Sequence, residues 1–310
     1  MTGLLCQRCR GSTYHCNQYY IGGKCWSKDF KSFYKTVGGN EGEKCLYNTR
    51  LDTYGCGCSH DCAYCYAKSL LDFRNLWNPL EPRVANIKAI ENKLKKIKPG
   101  TILRLGGMTD CMQPCEVKYR NTYKTIQLLN KYKIGYLIVT KSSLIASDEY
   151  IKIMDKNLAH IQISITSTSD RIAKKYEKAS LISQRIKAVE KLQELGFDVQ
   201  VRLSPFVEEW IDFEKLNQIK CDKIIVEFLR VNNFIKRWLD IDYSKYTLKQ
   251  SNYYHLPLEE KIKMLNKITN FNELSVCEDV DEHFIYWKEN TNYNKDDCCN
   301  LRKEKCWWLF

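Results

Sequence analysis

The chain has 310 residues, of which 44% are hydrophobic and 28% are charged. This composition excludes collagen-like and disordered proteins, and the length suffices for one large domain or two small ones with a buried core. Lys and Arg number 49 against 37 for Asp and Glu, so the formal net charge is +12. Such a surplus favours anionic partners such as nucleic acid or phosphorylated ligands, although lysines scattered over a solvated surface produce the same charge.

The first residues lack the basic region and apolar stretch of a secretory signal. No apolar run reaches the roughly 18 residues that a membrane span requires. We therefore expect a cytoplasmic protein without membrane contacts. In that reducing compartment, the 16 cysteines indicate metal or redox chemistry rather than disulfides.

The elements are predicted from residue 51 onward, after a loop-rich, cysteine-bearing N-terminal extension at residues 1–50. A first strand is expected near residues 51–54. Runs rich in β-branched residues predict five more strands, at Thr101–Leu105, Ile134–Thr140, Ile161–Ile165, Val199–Leu203 and Ile224–Phe228. Apolar spacings of three and four predict helices at Ile87–Ile97, Tyr119–Tyr132, Asp148–Met154, Leu181–Leu195 and Leu258–Ile268.

The alternation of strands and helices predicts an α/β fold of six βα units on a parallel sheet. We expect a catalytic core at residues 51–232 and a cysteine-bearing C-terminal extension at residues 233–310, where the periodicity weakens. The pattern alone does not separate a barrel from a doubly wound sheet.

Three cysteines follow the predicted first strand at spacings of four and three: Cys58, Cys62 and Cys65. Thiolates grouped in this way can wrap three corners of an iron–sulfur cube and leave one iron open to a ligand. Structural zinc prefers four ligands in a closed geometry, and Cys56 or His60 could complete such a set. The spacing therefore favours an iron–sulfur cluster over zinc.

This loop resembles the signature of the radical S-adenosylmethionine (SAM) superfamily. Further segments resemble, in the same order, the branch typified by spore photoproduct lyase: Leu105–Glu116, Leu137–Ser142, Ile163–Arg185 and Val201–Pro205. The resemblance implies a partial (β/α)6 barrel that holds a [4Fe–4S] cluster on the three cysteines. It also implies that SAM binds the open iron and yields a 5′-deoxyadenosyl radical, with an electron donor such as flavodoxin or ferredoxin.

The resemblance also assigns residues to the SAM site, at the carboxyl ends of the strands, where β/α architectures gather their active sites. It places Gly106 and Gly107 against the SAM amino group, with Thr109 and Asp110 beside them. Cations expected to face the SAM carboxylate or ribose are Lys141 and Arg185. The remaining assignments are Tyr64 near the adenine, Ser164 toward the same site, and Glu177 and Arg202 toward substrate or SAM.

Two groups of cysteines lie outside the three-cysteine loop. Cys111 is a candidate hydrogen-atom donor, but it follows the Thr-Asp pair whereas the cysteine of the family precedes it, and Cys111 or Cys115 could equally be a small core residue. The terminal cysteines could hold zinc or a second cluster, or could be free thiols. They are Cys6, Cys9, Cys16 and Cys25 at one end, and Cys277, Cys298, Cys299 and Cys306 at the other.

The motifs do not specify a substrate. We expect a lyase acting on a small nucleobase-like molecule, with queuine, from which a 7-deazaguanine base would be released, as the leading candidate. DNA or RNA repair or modification is the alternative that the net charge of +12 supports. A further alternative is peptide maturation, in which the terminal cysteines would hold auxiliary clusters. The non-enzymatic alternative is a zinc-bearing protein that binds nucleic acid.

Overall fold

The computed structural model describes residues 18–21, 24–27, 30–36, 44–72 and 74–301. Within these ranges it has an α/β fold with one eight-stranded sheet and three two-stranded ones. No helix in these ranges is long and apolar enough to cross a membrane. The strands, in chain order, are β1 Gln18–Ile21, β2 Lys24–Ser27, β3 Phe33–Lys35, β4 Thr49–Leu51, β5 Tyr54–Gly55, β6 Arg83–Val84, β7 Ile102–Leu105, β8 Gly135–Thr140, β9 Ala159–Ser164, β10 Asp198–Phe206, β11 Lys223–Phe228, β12 Leu248–Gln250, β13 Tyr253–His255 and β14 Glu273–Val276.

The order of strands in the main sheet is β14-β11-β10-β9-β8-β7-β4-β3. Every neighbouring pair from β4 to β14 is parallel, and only β3 joins antiparallel to β4. The parallel strands follow one another in chain order without the reversal that marks a doubly wound sheet. The order therefore decides the question that the sequence pattern left open, and the predicted partial barrel is confirmed.

Helices cover the outside of the sheet, and four of the five predicted helical stretches are present with shorter or slightly shifted ends. Leu181–Leu195, for example, becomes a helix at Ile182–Glu194, and the chain turns at Gly196, whose φ is +78°. The predicted stretch Tyr119–Tyr132 is instead divided between two helices by Arg120, whose φ of +51° is left-handed. The α-helices of the described residues are Tyr66–Asp72, Ile87–Leu94, Glu116–Tyr119, Asn121–Lys131, Asp148–Ile153, Asp170–Ala173, Ile182–Glu194, Phe213–Asn217, Asn233–Trp238, Leu258–Leu265 and Asp281–Asn290.

The predicted strands are found with longer or shifted ends, but the sheet has one more parallel strand than the six predicted. Strand β14, within residues 233–310, pairs parallel with β11 through Lys223–Glu273 to Val226–Val276. Its sequence, Glu-Leu-Ser-Val, is too short and too polar to show a strand period. The sheet of the core thus extends into the region that we expected to be only an extension.

Side chains alternate between the two faces of the central strands, as the period of two requires. On the outer face, fully buried residues such as Leu103, Ile138, Ile161, Val201 and Val226 pack against the helices. The inner face carries more polar side chains. Those in the middle and upper layers of the barrel include Arg104, Gln162, Ser164, Gln200, Arg202 and Glu227. The inner face therefore supplies the charged groups of the site.

Candidate active site

A cavity at the carboxyl ends of the parallel strands brings together all three cysteines of the loop. Cys58, Cys62 and Cys65 line its wall. Burial raises the pKa of each thiol, that of Cys62 to about 12, while the Lys141 ammonium lowers the pKa values of Cys62 and Cys65. The backbone N–H of Lys68 donates to Cys65 Sγ at 3.4 Å. The loop thus presents three thiols to one space, with a cation near two of them that opposes the effect of burial.

The three thiols are not arranged for a single metal ion. Within the part of the chain that the structure describes, no group of three or more His, Cys, Asp or Glu side chains is placed to hold one ion. In an iron–sulfur cluster each thiolate binds a different iron, so its ligands need not converge on one point. Three thiols on one cavity match the three ligands that leave one iron of a cluster open, whereas structural zinc requires four.

Side chains of the segment after β7 form hydrogen bonds with the backbone of the cysteine loop and of the strand before it. Thr109 Oγ1 donates to the carbonyl oxygen of Tyr54 at 2.6 Å. The Gln113 amide accepts the N–H of Ser59 at 3.0 Å and donates to the carbonyl of Gly57 at 3.3 Å. Because Gln113 is fully buried, these bonds tie the loop to the sheet. Thr109 borders the cavity, but its hydroxyl is used on the backbone.

Asp110 connects three segments at the edge of the cavity. Its carboxylate accepts the N–H groups of Met112 and Lys141, at 2.8 and 2.7 Å, and the hydroxyl of Thr140 at 2.8 Å. Nδ1 of His60 lies 3.3 Å from Oδ2, the oxygen that also accepts the Lys141 N–H. Burial acts to raise the pKa of Asp110, but His60 and the donors outweigh burial and lower it to about 2. Asp110 therefore fixes the end of β8 beside the cysteine loop.

Two glycines let the chain turn closely over the cavity. Gly106 has a φ of +83°, and a Cβ there would lie 2.8 Å from the Val139 carbonyl oxygen. A Cβ on Gly107 would lie 2.1 Å from the Tyr34 hydroxyl. The Asp52 carboxylate accepts the N–H groups of Gly107 and Met108 at 2.7 and 3.1 Å. Asp52 is a site residue that sequence reasoning missed, although a carboxylate directly after the first strand was a signal for it.

Other predicted SAM-site residues also line the cavity. Lys141 lies with its ammonium 5.5 Å from the centre of the Tyr64 ring. Tyr64 and Ser164 are buried parts of the wall. The structure thus gathers Tyr64, Gly106, Gly107, Thr109, Asp110, Lys141 and Ser164 around the thiols.

Arg185 and Glu177 are placed behind this wall instead of in it. They form a buried ion pair, and Glu177 also accepts hydrogen bonds from the hydroxyls of Tyr64 and Thr166. The guanidinium of Arg185 donates further to the carbonyl oxygens of Ser164 and Ser180 at 2.9 and 2.7 Å. With these partners in place, the pair orients Tyr64 and β9 and does not itself border the cavity.

The opposite wall carries charged residues that sequence reasoning mostly missed. Arg202 was predicted, and its guanidinium donates to Gln162 and Glu227 at 2.8 and 2.5 Å. Glu227 also accepts the Ser204 hydroxyl at 2.7 Å, and Arg230 lies 3.5 Å from its other oxygen. Burial raises the pKa of Glu227, but Arg202 and Arg230 outweigh it and lower the value to about 2. Glu227 could have been recognised as a site residue from the sequence, because it is a charged residue within the apolar run Ile224–Phe228.

Arg230 extends this wall toward the C-terminal part of the chain. Its Nε donates to Asp279 at 2.7 Å, and its guanidinium lies 5.2 Å from the centre of the Tyr66 ring. The Tyr66 hydroxyl donates to the carbonyl of Gly107 at 2.5 Å. An aromatic face and a planar cation thus stand beside the glycine turn.

Cys111 is 1% exposed, lies in the main hydrophobic core and does not line the cavity. Cys115 is half-buried at the start of the helix Glu116–Tyr119. Among the terminal cysteines, Cys6, Cys9, Cys16 and Cys306 lie outside the described residues, and only the backbone of Cys25 is described, in β2. Cys277, Cys298 and Cys299 lie together inside the barrel, packed with Cys45.

Comparisons with known proteins agree with this geometry. A double mutant of spore photoproduct lyase with bound AdoMet and dinucleoside spore photoproduct is 18% identical, with a TM-score of 0.58 over 79% of this chain and 80% of that one. Spore photoproduct lyase complexed with dinucleoside spore photoproduct is 16% identical, with a TM-score of 0.55 over 78% and 79%. At these identities the likeness concerns the fold.

No curated protein matches the chain significantly. The family model of the radical SAM superfamily matches residues 53–215, which is more than half of the 310 residues. The match spans the cysteine loop, the glycine turn and strands β7 to β10. The chain therefore belongs to the radical SAM superfamily, as its motifs predicted.

Proposed function

We propose that Cys58, Cys62 and Cys65 bind the [4Fe–4S] cluster that membership of this superfamily implies. What supports the assignment is that all three thiols open on one cavity, beside Lys141 and next to the glycine turn. When bound, the cluster supplies an electron to SAM, whose cleavage provides the 5′-deoxyadenosyl radical that abstracts hydrogen from substrate. Gln113 bonds to the loop that carries these thiols, and Asp110 faces His60 of that loop while it accepts the Lys141 N–H at the end of β8.

We further propose that SAM lies along the glycine turn. Gly106 and Gly107 pack closely on Val139 and Tyr34, where a Cβ would not fit, and this packing leaves the backbone of the turn bordering the cavity. The ammonium of Lys141 suits a carboxylate or ribose, and Ser164 offers a hydroxyl on the same side of the cavity. Arg185 and Glu177 serve as positioning residues here, because they hold Tyr64 and β9 from behind.

For the substrate, we propose a nucleobase-like molecule and a lyase reaction, with queuine as the leading candidate and a 7-deazaguanine base as product. The observation that carries this proposal is the wall formed by Tyr66, Arg202, Glu227 and Arg230. A planar base offers a face for stacking and an edge of donors and acceptors, which suit an aromatic ring, guanidinium groups and a carboxylate. Glu227 stays ionised there because of its two arginines.

DNA or RNA repair or modification is the second candidate. It is favoured by the net charge of +12 and by the fold shared with spore photoproduct lyase, which holds a dinucleoside in the structures compared. Binding through phosphates would weaken steeply with salt, whereas binding of a free base would not. The two candidates are therefore separable by salt dependence as well as by product.

The experiment is anaerobic reconstitution of the full chain, followed by reduction with SAM by flavodoxin, ferredoxin or dithionite. We expect 5′-deoxyadenosine to rise with queuine above the level without substrate, and Glu227→Gln to abolish that rise while keeping the basal level. Glu194→Gln, at an exposed helical position, is the matched control. A rise only with a DNA or RNA duplex would replace the lyase proposal, and retained cleavage after Cys62→Ala would refute the cluster assignment.

A further inference from the structure

The C-terminal segment 297–301 enters the barrel near the amino ends of its strands. The Gln200 side chain donates to the carbonyl of Cys299 at 2.7 Å, and the Lys223 ammonium donates to the carbonyl of Asn300 at 2.9 Å. Asp297 accepts the N–H of Cys299 at 3.0 Å and the Tyr47 hydroxyl at 2.5 Å. Hydrogen bonds from two strands and from the N-terminal part therefore fix this segment within the sheet's interior.

This segment brings four thiols together from three distant parts of the chain. Cys45, Cys277, Cys298 and Cys299 pack in one cluster with residues of β8 and β11. Cys299 is buried, and Cys45, Cys277 and Cys298 are half-buried against the same cluster.

The buried thiol of Cys221 is placed differently. Cys221 donates its thiol to the carbonyl oxygens of Val199 and Lys223, at 3.7 and 3.4 Å, as a small core residue does. In the inner group, by contrast, four cysteines from three separate segments share one cluster. Several cysteines brought into one cluster from separate segments can ligate an iron–sulfur centre, whereas a hydrophobic core does not need them.

The charges around the group also suit an anionic centre. Arg104 and Arg202 act on Cys299, and Arg50 and Arg104 act on Cys45. All three arginines are at least 93% buried, since their exposures are 1%, 7% and 3% for Arg50, Arg104 and Arg202. A metal centre bound by several thiolates carries net negative charge, which the positive charges of the buried arginines nearby would offset. Arg104 and Arg202 also line the active-site cavity, so the group lies directly beneath that cavity.

We propose that Cys45, Cys277, Cys298 and Cys299 bind a second thiolate-ligated metal centre beneath the active-site cavity. Four thiolates complete either a zinc site or an iron–sulfur cluster. In the described residues these sulfurs, like those of the cysteine loop, are not gathered around one point for a single ion. We expect an iron–sulfur cluster, because each of its thiolates binds a different iron and the sulfurs need not surround one point. The assignment does not depend on the proposed substrate or on the first cluster.

The test counts metal in the full chain purified and reconstituted without air. We expect about eight irons with matching sulfide in the wild type, and about four in either of two variants. The first changes Cys58, Cys62 and Cys65 to Ala, and the second combines Cys277→Ser with Cys298→Ser. Cys221→Ser is the control that should keep the full complement. All forms carry Cys6→Ser and Cys9→Ser, so that the N-terminal cysteines add no metal.

The outcomes separate the two sites. A zinc ion lost only in the inner variant would support the centre as mononuclear zinc. The proposal would be overturned by about four irons and no zinc in the wild type, or by equal metal content in the inner variant and the wild type. If the variant with Cys277→Ser and Cys298→Ser does not fold, two measurements replace it. They are the metal content of Cys45→Ser and the electron paramagnetic resonance signal of the reduced variant in which Cys58, Cys62 and Cys65 are Ala. Persistence of a cluster signal in the loop variant would locate it elsewhere than Cys58, Cys62 and Cys65.

Discussion

The side-chain oxygen of Gln113 accepts the backbone N–H of Ser59 at 3.0 Å, across 54 positions of sequence. Ser59 lies directly after Cys58, so this bond joins the segment after β7 to the loop that carries the three thiols. The same amide donates to the carbonyl of Gly57. Gln113 thereby fixes the loop on both sides of Cys58.

Replacing Gln113 by Leu should loosen that loop. The change leaves two backbone groups near Cys58 without their partner, and each buried unsatisfied group costs about 1–3 kcal/mol. We expect lower stability in urea and faster loss of iron to a chelator. Gln127→Leu, at an exposed helical position, should stay within about 0.5 kcal/mol of the wild type. Equal rates of iron loss in both variants would show that Gln113 does not stabilise the loop.

Alanine at Gly106 should impair SAM binding more than alanine at Gly100. Both glycines have positive φ, +83° and +80°, so both substitutions incur a backbone cost of about 1–2 kcal/mol. Only at Gly106 does the new Cβ meet backbone, 2.8 Å from the Val139 carbonyl oxygen, whereas nothing lies within 4 Å at Gly100. Equilibrium dialysis should show about tenfold weaker SAM binding for Gly106→Ala, or about 1.4 kcal/mol. Equal affinities would remove the turn from the SAM site.

Lys141 and Arg185 should respond differently to replacement by Met. Lys141 borders the cavity, so its loss should weaken SAM binding about tenfold while iron content and stability are kept. Loss of Arg185 leaves Glu177 buried without its ion-pair partner, which costs about 3–5 kcal/mol of stability. Dialysis and urea unfolding measure both effects. An Arg185→Met protein of normal stability that fails to bind SAM would place Arg185 in contact with the ligand.

The buried carboxylate of Asp52 should make stability fall as pH rises. Burial raises its pKa from 3.8 to about 6, although the N–H groups of Gly107 and Met108 oppose the shift. The folded protein therefore holds this proton more tightly than the unfolded chain does, and stability is lost between about pH 4 and pH 6. A shift of about two pKa units corresponds to roughly 3 kcal/mol.

Comparison with Asp52→Asn isolates this contribution from those of other carboxylates. The free energy of unfolding of the wild type minus that of the variant should decrease by about 2–3 kcal/mol from pH 4 to pH 7. Urea unfolding at several pH values measures that difference. A difference that is constant with pH would mean that Asp52 titrates alike in the folded and unfolded chain.

Local patterns were enough to predict the strands β7 to β11 and the cysteine loop. Each of these depends on neighbours in sequence, through the period of two in strands and through three thiols within eight residues. Strand β14 was missed because its four residues carry no such period, and it becomes a strand by pairing with β11. Likewise the division of the predicted helix at Arg120 depends on one left-handed residue.

The sequence by itself determined the superfamily, the α/β class and the residue types of the site, because thiols, glycines and β-branched runs have local chemical requirements. Only the tertiary structure decided which charged groups face the cavity. Arg185 and Glu177 form an ion pair behind the wall of the cavity. Glu227, Arg230 and Arg202 pair with one another and line the cavity itself. The same holds for the inner thiols, since Cys45 and Cys299 are brought together across 254 positions by the folding of the barrel around segment 297–301. Such contacts arise from burial and pairing over long sequence separations, which no local pattern encodes.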